Sequence, residues 1–170
     1  MRQREARGTQ LARRSYHSLG QLDQAYMART GGLSPKIIAE DFFTYTTRFE
    51  DLLSGATGNQ FIQIEADSDF LIQKLAVATF ENGNALTTFS QPIPLCTILI
   101  VDTGSGRQIM NEPIPVDSLF GNGKLPYILP TPKLFVKNSR INVTLFNFSS
   151  GTDYDDIWVS FEGKKIFTGG

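Results

Sequence analysis

FIQIEADSDFLIQKLAVATF, residues Phe61–Phe80, decides how the rest of the chain is read. Its first run puts Ile62, Ile64 and Ala66 on one face and Gln63 and Glu65 on the other, the two-residue period of a half-buried strand. Asp67-Ser68-Asp69 then turns the chain. The second run, Phe70–Phe80, reads two ways. Phe70, Ile72, Ala76 and Ala78 make a strand face interrupted by Lys74, while Phe70, Leu71, Lys74, Leu75 and Ala78 fit a helix. The strand reading is preferred, because β-rich runs follow to the C-terminus and helical runs do not.

Outward from this stretch the punctuation is that of a β protein. Phe42–Phe49 reads as a strand ended by the turn-rich Ser54–Asn59. A loop, Glu81–Pro94, leads to Cys96–Val101, which is apolar on both faces and therefore expected centrally in a sheet. Gly104-Ser105-Gly106 turns the chain, and Gln108–Met110 offers a short return strand. Asn111–Pro132 holds Pro113, Pro115, Pro126, Pro130 and Pro132, so its middle is not central strand. Val116–Phe120 fits a single helical turn. Leu134–Lys137, Ile141–Phe148 and Ile157–Phe167 are strands again. In the last two, Ile141, Val143, Leu145, Ile157, Val159 and Phe161 form the core face. Phe135, Phe146, Phe148 and Trp158 are assigned to the opposite face, where either the chain's own loops or a subunit interface would cover them.

About eight strands without a propeller-like repeat fit an all-β fold, an antiparallel two-sheet β-sandwich. The single cysteine removes the immunoglobulin cysteine pair, so a jelly roll is expected over residues 37–170. An extended basic N-terminal arm, residues 1–36, precedes it.

The chain has 170 residues, of which 19% are charged, with 13 Phe and 15 Gly. That low charge and high Phe and Gly content favours strands and turns over helices. Cys96, flanked by Leu95 and Ile98, reads as a small core residue, and His17 is the one histidine; together they exclude cysteine–histidine zinc fingers. No apolar run approaches the ~20 residues that span a bilayer. The basic N-terminus lacks a signal-type apolar segment, so synthesis in the cytosol is expected.

Charge is divided along the chain. Residues 1–36 carry seven basic against two acidic side chains, a net +5, and the remainder carries nine against fifteen, a net −6. Leu11, Ser15, Leu19, Leu22 and Tyr26 make a loose helical stripe in the arm. The arm is read as docking on neighbouring subunits, with a tail of no role and a nucleic-acid binder as the competing readings.

Chemistry is sparse. Asp67-Ser68-Asp69 and Asp153-Tyr154-Asp155-Asp156 group carboxylates but lack the spacing of a calcium loop, and Asp is common in turns for backbone reasons. Gly104-Ser105-Gly106-Arg107 lacks the third glycine and the helix of a phosphate loop and reads as a hairpin turn. Asn142-Val143-Thr144 and Asn147-Phe148-Ser149 read as chance matches to the glycosylation pattern. No residue set supports an enzyme, a cofactor or a metal site.

Gln63–Phe80 (QIEADSDFLIQKLAVATF) and Leu125–Ser150 (LPYILPTPKLFVKNSRINVTLFNFSS) together resemble the small cement or decoration proteins of tailed bacteriophage heads, over roughly residues 40–167. The resemblance implies a virion protein, made in the host cytoplasm, that binds major capsid protein subunits and copies of itself, with no membrane partner. Arg2, Arg4, Arg7, Arg13 and Arg14 would pair with shell carboxylates, with Leu11 and Tyr26 as apolar anchors and Tyr127, Phe135, Phe146 and Trp158 as further contacts. A coat subunit or a collar, neck or tail-fibre adaptor is the nearest alternative. A carbohydrate-binding sandwich is another, with Trp158, Tyr127 and the proline-rich loop as an aromatic platform.

Overall fold

A computed structural model describes residues 36–81, 94–121 and 124–169. The alternating apolar runs form antiparallel strands: β1 (Ile37–Leu52), β2 (Thr57–Gln63), β3 (Asp69–Glu81), β4 (Cys96–Asp102), β5 (Arg107–Gln108), β6 (Ile114–Pro115), β7 (Tyr127–Phe135), β8 (Arg140–Asn147) and β9 (Tyr154–Thr168). One sheet has the order β1-β9-β3-β7. The other has β2-β8-β4, with β5 and β6 both on the far side of β4. The first strand thus pairs with the last, the second with the next to last and the third with β7, while the fourth pairs with the two short pieces after it. That nesting is the winding of a jelly roll.

The sheets pack face to face over one core. Phe49, Phe70, Ile72, Leu75, Ile157, Val159 and Phe161 come from the first sheet, and Ile62, Ile98, Ile100, Ile141, Val143 and Leu145 from the second. Each fully buried aliphatic or aromatic side chain stabilises by ~1.5–3 kcal/mol relative to exposure. Cys96 lies in this core, as its neighbours suggested.

The ambiguous run Phe70–Phe80 is strand throughout, and its irregular pattern has a local cause. Ile72 pairs with Gly163 and Lys74 with Glu162, leaving Gln73 as an extra residue. This β-bulge switches the inward face from Phe70 and Ile72 to Leu75, Val77 and Thr79. Gly163 sits opposite, where an added Cβ would lie 2.0 Å from the Leu71 carbonyl oxygen. On the outer side, Leu71, Leu134 and Ile166 make a small second cluster with Ile37.

The proline-rich stretch also departs from expectation. β7 begins at Tyr127, before Pro130 and Pro132, because it is an edge strand that tolerates missing donors. Its pairing with β3 jumps from Lys133 opposite Ile72 to Ile128 opposite Lys74, so the prolines bow out between them. The helical turn is present as a 3-10 turn, Val116–Ser118. The Asp67-Ser68-Asp69 corner joins β2 to β3. There Asp69 Oδ1 accepts the Lys137 N–H at 2.8 Å, and the nearly buried Lys165 ammonium pairs with Glu65 and with Asp67 at 3.7 Å. Lys165 also lies 4.3 Å from the Phe43 ring centroid.

Candidate binding surfaces

Alternation along β8 sends Ile141, Val143, Leu145 and Asn147 inward and Arg140, Asn142 and Phe146 outward. Phe148 continues the outward set. Phe146 stands between Thr57 and Thr97, and the Phe148 N–H donates to the Leu95 carbonyl at 3.0 Å. Phe146, Phe148 and Leu95 remain 41%, 47% and 51% exposed, and Leu53 in the adjoining turn is exposed as well. They form an apolar patch at one end of the β2-β8-β4 sheet.

The backbone beneath this patch is tied down. Asn147 is fully buried; its Nδ2 donates to the carbonyls of Leu52 at 3.1 Å and Thr152 at 2.9 Å, and its Oδ1 accepts the Ser149 N–H at 3.0 Å. Ser54 Oγ donates to the Ser149 carbonyl at 2.6 Å, and the Ser54 N–H donates to Asp153 Oδ1 at 2.7 Å. The Leu95 N–H donates to the Tyr154 hydroxyl at 2.8 Å. The β1–β2 and β8–β9 turns and the chain entering β4 are thereby locked to one another, and the patch is held on a preorganised frame. With both Nδ2 hydrogens engaged, Asn147 is closed to glycosylation in the folded chain.

The outer face of the other sheet carries Trp158, 37% exposed, between Arg48 and Ala78 on the neighbouring strands. The Arg48 guanidinium lies 5.2 Å from the Trp158 ring centroid and makes a two-pronged pair with Asp156, Nη2 to Oδ2 at 2.9 Å. That hydrogen bond raises the Arg48 pKa above its ordinary value. The same end of the molecule is acidic: Glu50, Asp51, Asp153, Asp155 and Asp156 flank the β1–β2 and β8–β9 turns, and Asp117 follows β6.

At the opposite end, Gln63, Thr103, Gly104, Asn138, Ser139, Arg140 and Asn142 line an open groove of about 400 Å³. Arg140 Nε donates to Gln63 Oε1 at 3.2 Å, and its guanidinium stacks 4.5 Å from the Phe61 centroid. A fixed guanidinium in a groove with three side-chain amides can recognise a carboxylate or a hydroxyl-rich ligand. The Gly104-Ser105-Gly106 stretch nearby is a hairpin turn, organised by the buried Asp102, whose carboxylate accepts the Gly104 N–H at 3.0 Å and the Ser105 hydroxyl at 2.8 Å. Among the described residues no group of three or more His, Cys, Asp or Glu side chains is placed to hold a metal ion. None of their helices is long and apolar enough to cross a membrane.

Of the residues singled out from sequence, Phe146 and Trp158 lie outward, but on different sheets. Phe135 does not: it is fully buried, because the bowed prolines set β7 in a register that places it opposite the inward Phe70. Tyr127 is paired with the inward Leu75 and packs on the core, so it and Trp158 occupy opposite faces of their sheet. The aromatic platform expected from those two does not form. Arg2, Arg4, Arg7, Leu11, Arg13, Arg14 and Tyr26 lie outside the described residues. Leu95 and Phe61 were missed; Leu95 opens an apolar run whose both-sided pattern gives no face, and Phe61 shares the parity of Gln63 and Glu65, which did mark it as outward.

No family model matches the chain, and no curated protein matches it. Among solved structures, dimeric latent PorU from Porphyromonas gingivalis aligns with 78% of this chain at 10% identity and a TM-score of 0.25. The chain spans 14% of the length of PorU, and a likeness at that level carries no argument.

Proposed function

We propose that the chain is a virion structural protein, a capsid cement or decoration subunit that binds coat subunits through its outward apolar surface and its basic N-terminal segment. The observation that carries this reading is the rigidly framed, exposed patch of Leu95, Phe146 and Phe148 on a jelly roll, a fold that recurs in capsid shells. The charge split adds to it, since a +5 segment can neutralise carboxylates on an assembled surface. Deleting residues 1–30 should leave the sandwich folded and abolish decoration of shells, read as occupancy by electron microscopy of the native particle. Undiminished occupancy sinks the proposed role of the segment. Density in a coat, collar or tail position instead would assign the chain to another virion component.

The groove around Arg140 supports a second reading, a carbohydrate-binding sandwich. Glycan-array binding that Arg140→Ala and Asn142→Ala abolish would favour it over the capsid role.

A further inference from the structure

The apolar patch and the acidic end beside it pose the question of what covers them. We propose that the occupant is the N-terminal segment of a second copy of this chain. Residues 1–36 combine a net +5 charge with Leu11, Leu19, Leu22 and Tyr26 at helical spacing. The receiving end combines Leu95, Phe146 and Phe148 with carboxylates of the turns at that end, Asp51, Asp117, Asp153 and Asp155. Glu50 and Asp156 lie on the outer face of the other sheet, where they pair with Arg48. Apolar groups and charge therefore match in kind and in sign.

Chain geometry favours a second copy over the same one. The segment enters the fold at Ile37, which pairs with Thr168, whereas the patch lies at the far end, where Leu52 meets Tyr154. β1 has 16 residues. Its length separates the two ends by ~50 Å at ~3.3 Å per residue. A segment docking on its own body would spend nearly half its residues running back beside β1. One that leaves directly, with a reach on the order of 100 Å when extended, meets a neighbour instead. Area points the same way. Stable interfaces bury ~1,200–2,000 Å² in total, more than a few half-exposed side chains supply, and an added segment can provide the remainder.

The contact is heterologous, segment to patch, so it is either exchanged between two copies or continued head to tail. Because its two halves are different, they can be disabled separately in the full-length protein. One variant carries Phe146→Asp with Phe148→Asp; the other carries Arg13→Glu with Arg14→Glu. Sedimentation velocity should find the wild type associating at low salt and dissociating as salt rises. Each variant alone should show a dissociation constant raised ~10-fold or more. An equimolar mixture of the two variants should recover a dimer and nothing larger, since one intact segment meets one intact patch. A wild type that stays monomeric at low salt would overturn the proposal in favour of docking on the same copy or of cover by residues 82–93. A patch variant that still associates, or a mixture that stays monomeric, would overturn it as well. The arginine pair leaves the sandwich sequence untouched, so its effect does not depend on folding of the patch variant, which melting curves check separately. No shell is present in these measurements, so the result stands apart from the outcome of the decoration experiment.

Discussion

Asn147 is the residue on which the patch depends. It is polar, fully buried and engaged on both amide atoms, so removing its side chain takes a partner from the Leu52 carbonyl and the Ser149 N–H, while the Thr152 carbonyl keeps the Ser149 hydroxyl. Each stranded buried group costs ~1–3 kcal/mol. Asn147→Ala should therefore destabilise by ~3 kcal/mol or more in urea unfolding; Phe148→Ser next to it, on an exposed ring, should cost under ~1 kcal/mol. Equal losses from the two would mean that the frame is not rigid. At this scale the sequence was informative wherever alternation was unbroken. Ile141, Val143, Leu145, Ile157, Val159 and Phe161 all point inward as their period predicts. It failed for Phe135, because the proline bow resets the face just before that residue.

Among the elements, β3 shows what defeats pattern reading. A single extra residue at Gln73 moves the inward set by one position, so neither a strand period nor a helical one fits the whole run. The bulge is admitted by the glycine across from it: Gly163 has the Leu71 carbonyl where a Cβ would be. Gly163→Val should push the strands apart at the centre of the sheet and destabilise by about 3 kcal/mol or more. Thermal melts would show it, and an unchanged midpoint would refute the close approach. No sequence signal pairs Gln73 with Gly163, because the two lie on different strands. β7 was foreshortened for a related reason: Pro130 and Pro132 exclude a central strand but not an edge one. The candidate binding surface was partly legible. Phe146 and Trp158 were found as aromatics on the wrong face for a core, whereas Leu95 needed the pairing with β8 to place it.

For the molecule as a whole, three groups among the described residues besides the exposed Arg48 hold their protons more tightly in the folded chain. Burial pushes the Cys96 thiol up to about 12. Burial also raises Tyr45, against a backbone hydrogen bond from Glu65. Burial works against the charge of Lys165, but its hydrogen bond to Glu65 and the neighbouring Tyr45, Glu65 and Asp67 outweigh it, and its pKa rises. A group whose folded pKa is raised contributes stability below its unfolded pKa and loses it as pH climbs through the folded value. All three shifts act in the same direction, so the urea midpoint should hold up to about pH 8.5, where an unfolded thiol begins to ionise, and fall above it. Cys96→Ala should remove the earliest part of that fall. A midpoint that rises between neutral and alkaline pH would contradict the buried thiol.

The pairing of the first strand with the last also sets a timetable for a chain emerging from a ribosome. β1 is made before β2–β8, but its hydrogen-bonding partner β9 is made after them, and β9 stands between β1 and β3. Contacts so distant in sequence form slowly, and the first sheet cannot close before β9 has been synthesised. Thr152, Asp153 and Tyr154, which brace the turns under Phe148, belong to that same late stretch. The rigid frame under Leu95, Phe146 and Phe148 is thus assembled only after β9 is in place, so the exposed patch acquires its fixed shape late in the making of this sandwich.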